Sequence, residues 1–143
     1  MPQLTFPFDL NGMFVDVLLS CGRGQMVELM GKGNPVPRLW VRGIIDTGTN
    51  VSAVSRSILD QLGIPPGDPA QSEGVSGEFT TNYYEVSLTI ADKSTPSRPT
   101  YMPPDVSVIH MEVTGVDVLI GLDLLMACRL VVDGRAGLFT LEF

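Results

Sequence analysis

Glycine and proline interrupt this 143-residue chain so often, 15 and 11 times respectively, that it is cut into short segments. β-branched and aromatic residues fill the gaps. Short apolar runs between frequent turn formers predict an all-β barrel or sandwich. Residues 4–10 and 14–19 flank Asn11-Gly12, a strong hairpin signal. The Gly- and Pro-rich stretch 22–37 holds one apolar patch, 26–30, which predicts a short strand between loops. Residues 39–46 form a strand whose last residues are apolar enough for burial on both faces. The β pattern breaks at 55–62, where Ile58, Leu59 and Leu62 fall at helical spacing, Ser55 or Ser57 can cap the start and Gly63 the end. Residues 73–90 read as a long hairpin turning at Gly74-Val75-Ser76-Gly77, with Tyr84, Val86, Leu88 and Ile90 alternating on one face. Four prolines make 93–104 irregular. Strands are expected at 106–113, 116–120, 130–132 and 138–143, and a short helix capped by Asp123 at 123–128. No internal repeat or linker divides the chain, so 1–143 is expected to be one domain, with 1–38 a β extension on a motif-bearing core of 39–143.

Charge excludes some partners. The net charge is −7 and the Lys and Arg residues are scattered, so neither nucleic acid nor an anionic membrane is an expected partner. Hydrophobic residues make up 44% and charged ones 17%, an apolar balance that fits a chain hiding surface in an oligomer. Two cysteines, Cys21 and Cys128, are too few for a disulfide framework and lack metal-ligand spacing, which favours free thiols in a reducing compartment. Leu18-Leu19-Ser20-Cys21 imitates a lipoprotein cleavage box, but no Lys or Arg precedes it and Asp9 and Asp16 do. With no apolar run near the ~18 residues that span a bilayer, the expected location is the cytoplasm.

The chemistry centres on Ile44-Ile45-Asp46-Thr47-Gly48-Thr49-Asn50, an apolar strand running into Asp-Thr-Gly, present once. An Asp before Gly at a strand end is most often a turn former. It is also well placed to be a catalytic carboxylate, but hydrolysis by carboxylates and water needs two of them sharing a proton. A chain with one copy must borrow the second from another chain. A second element lies further on: Val118-Leu119-Ile120-Gly121, an apolar strand ending in Gly and entering a helix. The Gly-tipped hairpin sits between the two. His110, the sole histidine, has no evident partner for nucleophilic or metal chemistry. The seven methionines are read as core and interface filler, and Trp40, next to the Asp46 strand, most simply as core.

With these three elements in order, residues 39–143 resemble the retropepsin family, the dimeric aspartic proteases of retroviruses and their cellular relatives. Asp46-Thr47-Gly48 matches the catalytic triplet, and Gly74, Val75, Ser76 and Gly77 with the following strand look like the flap. Leu119-Ile120-Gly121-Leu122-Asp123-Leu124-Leu125 is similar to the apolar-Gly element that cradles the catalytic loop, closest to ubiquitin-shuttle and small bacterial members. Leu122 stands where viral enzymes commonly carry a basic residue, and some 40 residues precede the catalytic strand. The resemblance implies a closed β-barrel with a flap hairpin and one or two short helices, homodimeric, cleaving peptide bonds without metal or cofactor. Asp46 would be catalytic. Thr47 would bond across the dimer, Gly48 would aim N–H groups at the carboxylates, and Thr49 would donate to an outer carboxylate oxygen. Asn50, Gly74, Val75, Ser76, Gly77 and Ile120 would contact an extended peptide. The strand at 138–143, apolar on one face and ending in Phe143, is expected to pair across the interface. The rival expectation is a non-catalytic relative that binds a peptide or scaffolds an assembly.

Overall fold

Alternation decides how the central strands meet. In Phe14–Cys21 (β2) the residues Val15, Val17, Leu19 and Cys21 are buried, and in Arg38–Ile45 (β3) Val41, Gly43 and Ile45 are. The two strands pair antiparallel with Val15 opposite Gly43 and Val17 opposite Val41, so both apolar sets face one interior. A Cβ on Gly43 would stand 2.9 Å from Val17 Cγ2, which explains the glycine at this crowded point. The computed structural model describes residues 1–74, 77–112 and 115–143, and only the backbone of 71–74 and 77–80.

Six strands close a ring. β3 pairs with Val118–Ile120 (β8), β8 with Ala53–Ser55 (β4), and β4 with Val106–Met111 (β7). β7 pairs with Gly77–Ala91 (β6), and β6 returns to β2. Side chains fill a barrel of this size completely. Tyr84, Val86, Leu88 and Ile90 of β6 enter the core with Leu59, Val108, Val118 and Ile120. Among the described residues Pro69–Gly74 (β5) pairs only with the first part of β6, from Pro69 opposite Asn82 to Gly74 opposite Gly77, so the expected long hairpin is present. Its central pair, Val75 and Ser76, lies outside the described residues.

A second, three-stranded sheet has the order Gln3–Pro7 (β1), Leu138–Glu142 (β10), Arg129–Asp133 (β9). Leu4, Phe139 and Leu141 are completely enclosed beneath it. Arg98 ties the irregular segment before β7 to this sheet by donating to the Thr5 carbonyl and to Asp92.

Several expectations fail for physical reasons. The 138–143 strand is not an open edge: β10 lies between β1 and β9, so both sides of its backbone are already paired. Asn11-Gly12 turns the chain, with Gly12 at φ +134° and its N–H on the Asp9 carbonyl, but no hairpin follows because β1 and β2 join different sheets. β2 is a barrel strand in its own right. The patch at 26–30 is helical, part of Arg23–Gly31 (α1). Met26 and Leu29, one turn apart, pack on the core, and the Arg23 N–H is capped by distant Asp105 at 2.6 Å. With Arg56–Gln61 (α2) and Leu122–Leu125 (α3) the described helices number three rather than one or two. Trp40 points outward and is 39% exposed, because its neighbours Val41 and Leu39 take the alternate positions. No helix among the described residues is long and apolar enough to cross a membrane.

Candidate active site

The site begins with a register. β3 and β8 run parallel with Ile45 opposite Ile120, so Asp46 and Gly121 leave the barrel side by side. The two turns then interlock through their backbones. Asp46 N–H donates to the Ile120 carbonyl at 2.9 Å, Leu122 N–H to the Thr49 carbonyl at 2.8 Å, and Asp123 N–H to the Asn50 carbonyl at 3.1 Å. Gly121 is required at the crossing: a Cβ there would lie 2.7 Å from the Thr49 carbonyl oxygen.

Within this frame the Asp46 carboxylate is held by its own loop. Gly48 N–H donates to Oδ1 and the Thr49 hydroxyl to Oδ2, both at 2.9 Å. Each oxygen keeps acceptor capacity, and the side chain is half-buried. Thr47, Gly48 and Asn50 are exposed around it. Ile120, expected to touch a peptide, is fully enclosed in the barrel, and its carbonyl accepts the Asp46 N–H of the loop. Gly74 and Gly77 pair with each other at the end of the β5–β6 arm.

Two residues take parts that sequence reasoning missed. Asp123 does not cap α3, whose N-cap is Gly121. Instead its Oδ2 accepts from Ser52 N–H at 2.9 Å, and its Oδ1 accepts from the Ser52 hydroxyl at 2.6 Å and from Leu124 N–H at 2.9 Å. Ser52 Oγ, fully buried, in turn accepts the Gly121 N–H at 2.9 Å. A Ser inside the apolar run Val51–Val54 was the available signal, since a buried hydroxyl needs partners. His110 is also accounted for: its Nδ1 lies 2.6 Å from the hydroxyl of Thr81, and Tyr84 meets its ring edge-on. Among the described residues no group of three or more His, Cys, Asp or Glu side chains is gathered for a metal ion.

Known proteins agree with this architecture. The family model described as aspartyl protease matches residues 28–124. A retropepsin-like aspartic protease from Rickettsia conorii superposes with a TM-score of 0.58 at 12% identity, covering 97% of this chain and 89% of that one. The EIAV protease, solved with an inhibitor, gives a TM-score of 0.46 at 16% identity over 89% of this chain and 100% of its own. No curated protein sequence matches significantly. The interlocked Asp46 and Gly121 turns on a closed barrel, together with a family match spanning most of the chain, make this protein a member of the aspartyl protease family with the retropepsin-like fold.

Proposed function

We propose that the protein is a homodimeric aspartic endopeptidase in which each chain contributes one Asp46. One observation supports this above the rest: the half-exposed Asp46 carboxylate has both oxygens oriented by its own loop, yet each chain carries only one Asp-Thr-Gly. The other carboxylate of the interlock, Asp123, is occupied with Ser52 and Leu124.

The chemistry then follows. Two Asp46 side chains meeting on a two-fold axis cannot both ionise at close range, so they share one proton. A water between them loses a proton to the charged partner as it attacks the scissile carbonyl. The protonated partner gives its proton to the forming oxyanion, and transfer to the departing amine completes cleavage. Gly48 N–H and the Thr49 hydroxyl keep the carboxylate aimed while its protonation changes. Thr47, exposed beside Asp46, would bond its counterpart in the second chain. An extended peptide would lie between Asn50 and the Gly74–Gly77 arm, adding to the hairpin as a strand. No step calls for a metal or cofactor.

Incubation with a peptide library across pH, using wild type and Asp46→Asn, tests the reading. Cleavage with a bell-shaped pH profile, abolished in the variant, is expected. Peptide binding without cleavage at any pH would instead favour a non-catalytic binding module.

A further inference from the structure

The outer wall of the barrel carries a groove that the Asp46 site does not use. On β2 and β3 the residues that alternate with the core set face outward: Phe14, Asp16 and Leu18 on one strand, Trp40, Arg42 and Ile44 on the other. Phe6 of β1 joins Phe14, Trp40 and Arg42 in lining a cavity of about 340 Å³. A second cavity of about 390 Å³ shares Phe6, Phe14 and Arg42 with the first and continues to the Asp9–Gly12 turn. That turn is seated on Ile44, two residues before Asp46: a Cβ on Gly12 would lie 2.6 Å from Ile44 Cδ1.

Two cations in this groove are left without an acidic partner. Asp16 is the cross-strand neighbour of Arg42, yet the two form no ion pair. The Arg42 guanidinium lies instead on the Phe14 ring, 3.6 Å from its centroid. Stacking uses the flat face of the group and leaves its in-plane N–H donors available. Lys93 lines the same cavity and also forms no ion pair among the described residues. The nearby carboxylates each have one oxygen engaged by backbone: Asp16 Oδ2 accepts the Lys93 N–H at 3.0 Å, and Asp117 Oδ2 the Arg42 N–H at 3.1 Å. Trp40, the only tryptophan, is 39% exposed at the end of the groove opposite the Asp9–Gly12 turn.

These groups specify a ligand. The cations call for a carboxylate, the rings for flat apolar side chains, and the second oxygens of Asp16 and Asp117 for N–H donors. A fatty acid or a simple aromatic acid would supply only the first two. An extended peptide supplies all three, because its backbone brings the N–H groups. From Trp40 to Ile44 the wall advances four residues, ~13 Å at ~3.3 Å per residue, the length of about four residues of extended peptide.

We propose that this groove is a second peptide-binding site. It takes an extended acidic segment flanked by aromatic residues, with the acid on Arg42 and Lys93 and one ring against Trp40. The near end of the groove meets the strand that leads into the Asp46 loop, so a protein substrate anchored here is held beside the catalytic carboxylate and is recognised beyond the residues around the scissile bond. That consequence rests on the proposed protease reading; the binding itself does not.

Trp40 serves as its own reporter. The full chain carrying Asp46→Asn, which prevents cleavage during the measurement, is titrated with the end-capped peptide Phe-Glu-Asp-Phe while tryptophan emission is followed. A saturable change in emission is expected, and replacing both acids of the peptide by lysine should abolish it. Arg42→Gln and Lys93→Gln, two independent substitutions of exposed side chains, should each weaken binding about tenfold. Emission unmoved by the acidic peptide, an equal response to the lysine peptide, or an affinity unchanged in both variants would overturn the proposal. Binding that depends on Arg42 and Lys93, in a protein whose wild type cleaves no peptide, would uphold the groove and refute the protease reading.

Discussion

Two carboxylates stand at the crossing of the Asp46 and Gly121 turns, and they are treated in opposite ways. Asp123 accepts three hydrogen bonds from its own chain, two of them from a serine that is completely buried. Asp46 accepts two, one on each oxygen, from groups that stand at the surface or half-buried. A carboxylate that accepts three hydrogen bonds holds structure together, whereas one that accepts only two keeps more capacity to take a proton or a water. Identical side chains at one crossing are therefore given different work by their donors rather than by their chemistry.

The largest way to break this contrast is Asp46→Asn. Activity should fall by several orders of magnitude while thermal unfolding and sedimentation stay close to wild type. A comparable loss of fold would mean that Asp46 is a structural residue like Asp123. Gly121→Ala comes next, since its new methyl must displace the Thr49 carbonyl. Denaturant titration should show ~1–3 kcal/mol of lost stability, with turnover falling because the loop that aims Asp46 shifts.

Ser52→Ala sharpens the Asp123 side. It leaves the Gly121 N–H without its acceptor and Asp123 with fewer donors, a cost of ~1–3 kcal/mol. Ser52→Thr, which keeps the hydroxyl, should recover more of the stability than any hydroxyl-free replacement. Equal losses from both variants would mean that packing, not the hydrogen bonds, holds the crossing. Thr49→Val should be milder for stability and felt mainly in kcat, because it removes the donor to Asp46 Oδ2 without emptying the core.

The smallest effect concerns a third carboxylate, remote from the crossing. The Ser94 hydroxyl foremost, with Arg98, holds Asp92 down at about 2, below the ordinary carboxylate range. A lowered folded-state value gives stability that is present above about pH 4 and is lost as pH falls toward 2. Melting temperatures between pH 2 and 5 should therefore decline less steeply in Asp92→Asn than in wild type. Parallel slopes would assign the acid sensitivity to other groups.

Much of the fold was legible where one rule acted locally. The alternation Tyr84, Val86, Leu88, Ile90 identified a strand with a buried face, and Gly63 at φ +67° ends α2 as its position suggested. What escaped depended on partners distant in sequence. Asp105 caps α1 across 82 residues and Ser52 meets Asp123 across 71, neither visible in a local window. Asn11-Gly12 was a correct turn with a wrong consequence, because a turn fixes direction while the sheet a strand joins is set by packing. The C-terminal strand looked like an edge because its apolar face was clear and its two neighbours, β1 and β9, were not assigned to it.

β6 carries a mechanical consequence. It is one uninterrupted strand of 15 residues, and its two ends do different things. From Val86 to Ala91 it is bonded to β2, and from Tyr83 to Val86 to β7, while from Gly77 to Asn82 its only strand partner among the described residues is β5. It is thus a cantilever, with a root clamped in the barrel wall and a projecting arm that ends at the Gly74–Gly77 pair. Side-chain and loop contacts add to the clamp where the arm leaves the wall. There Thr81, 2% exposed, meets His110 at 2.6 Å, and Tyr83 exchanges backbone hydrogen bonds with Gly67 and Asp68. A beam held this way bends about its root, so a small change of tilt near Thr81 is magnified into a larger displacement at the far end.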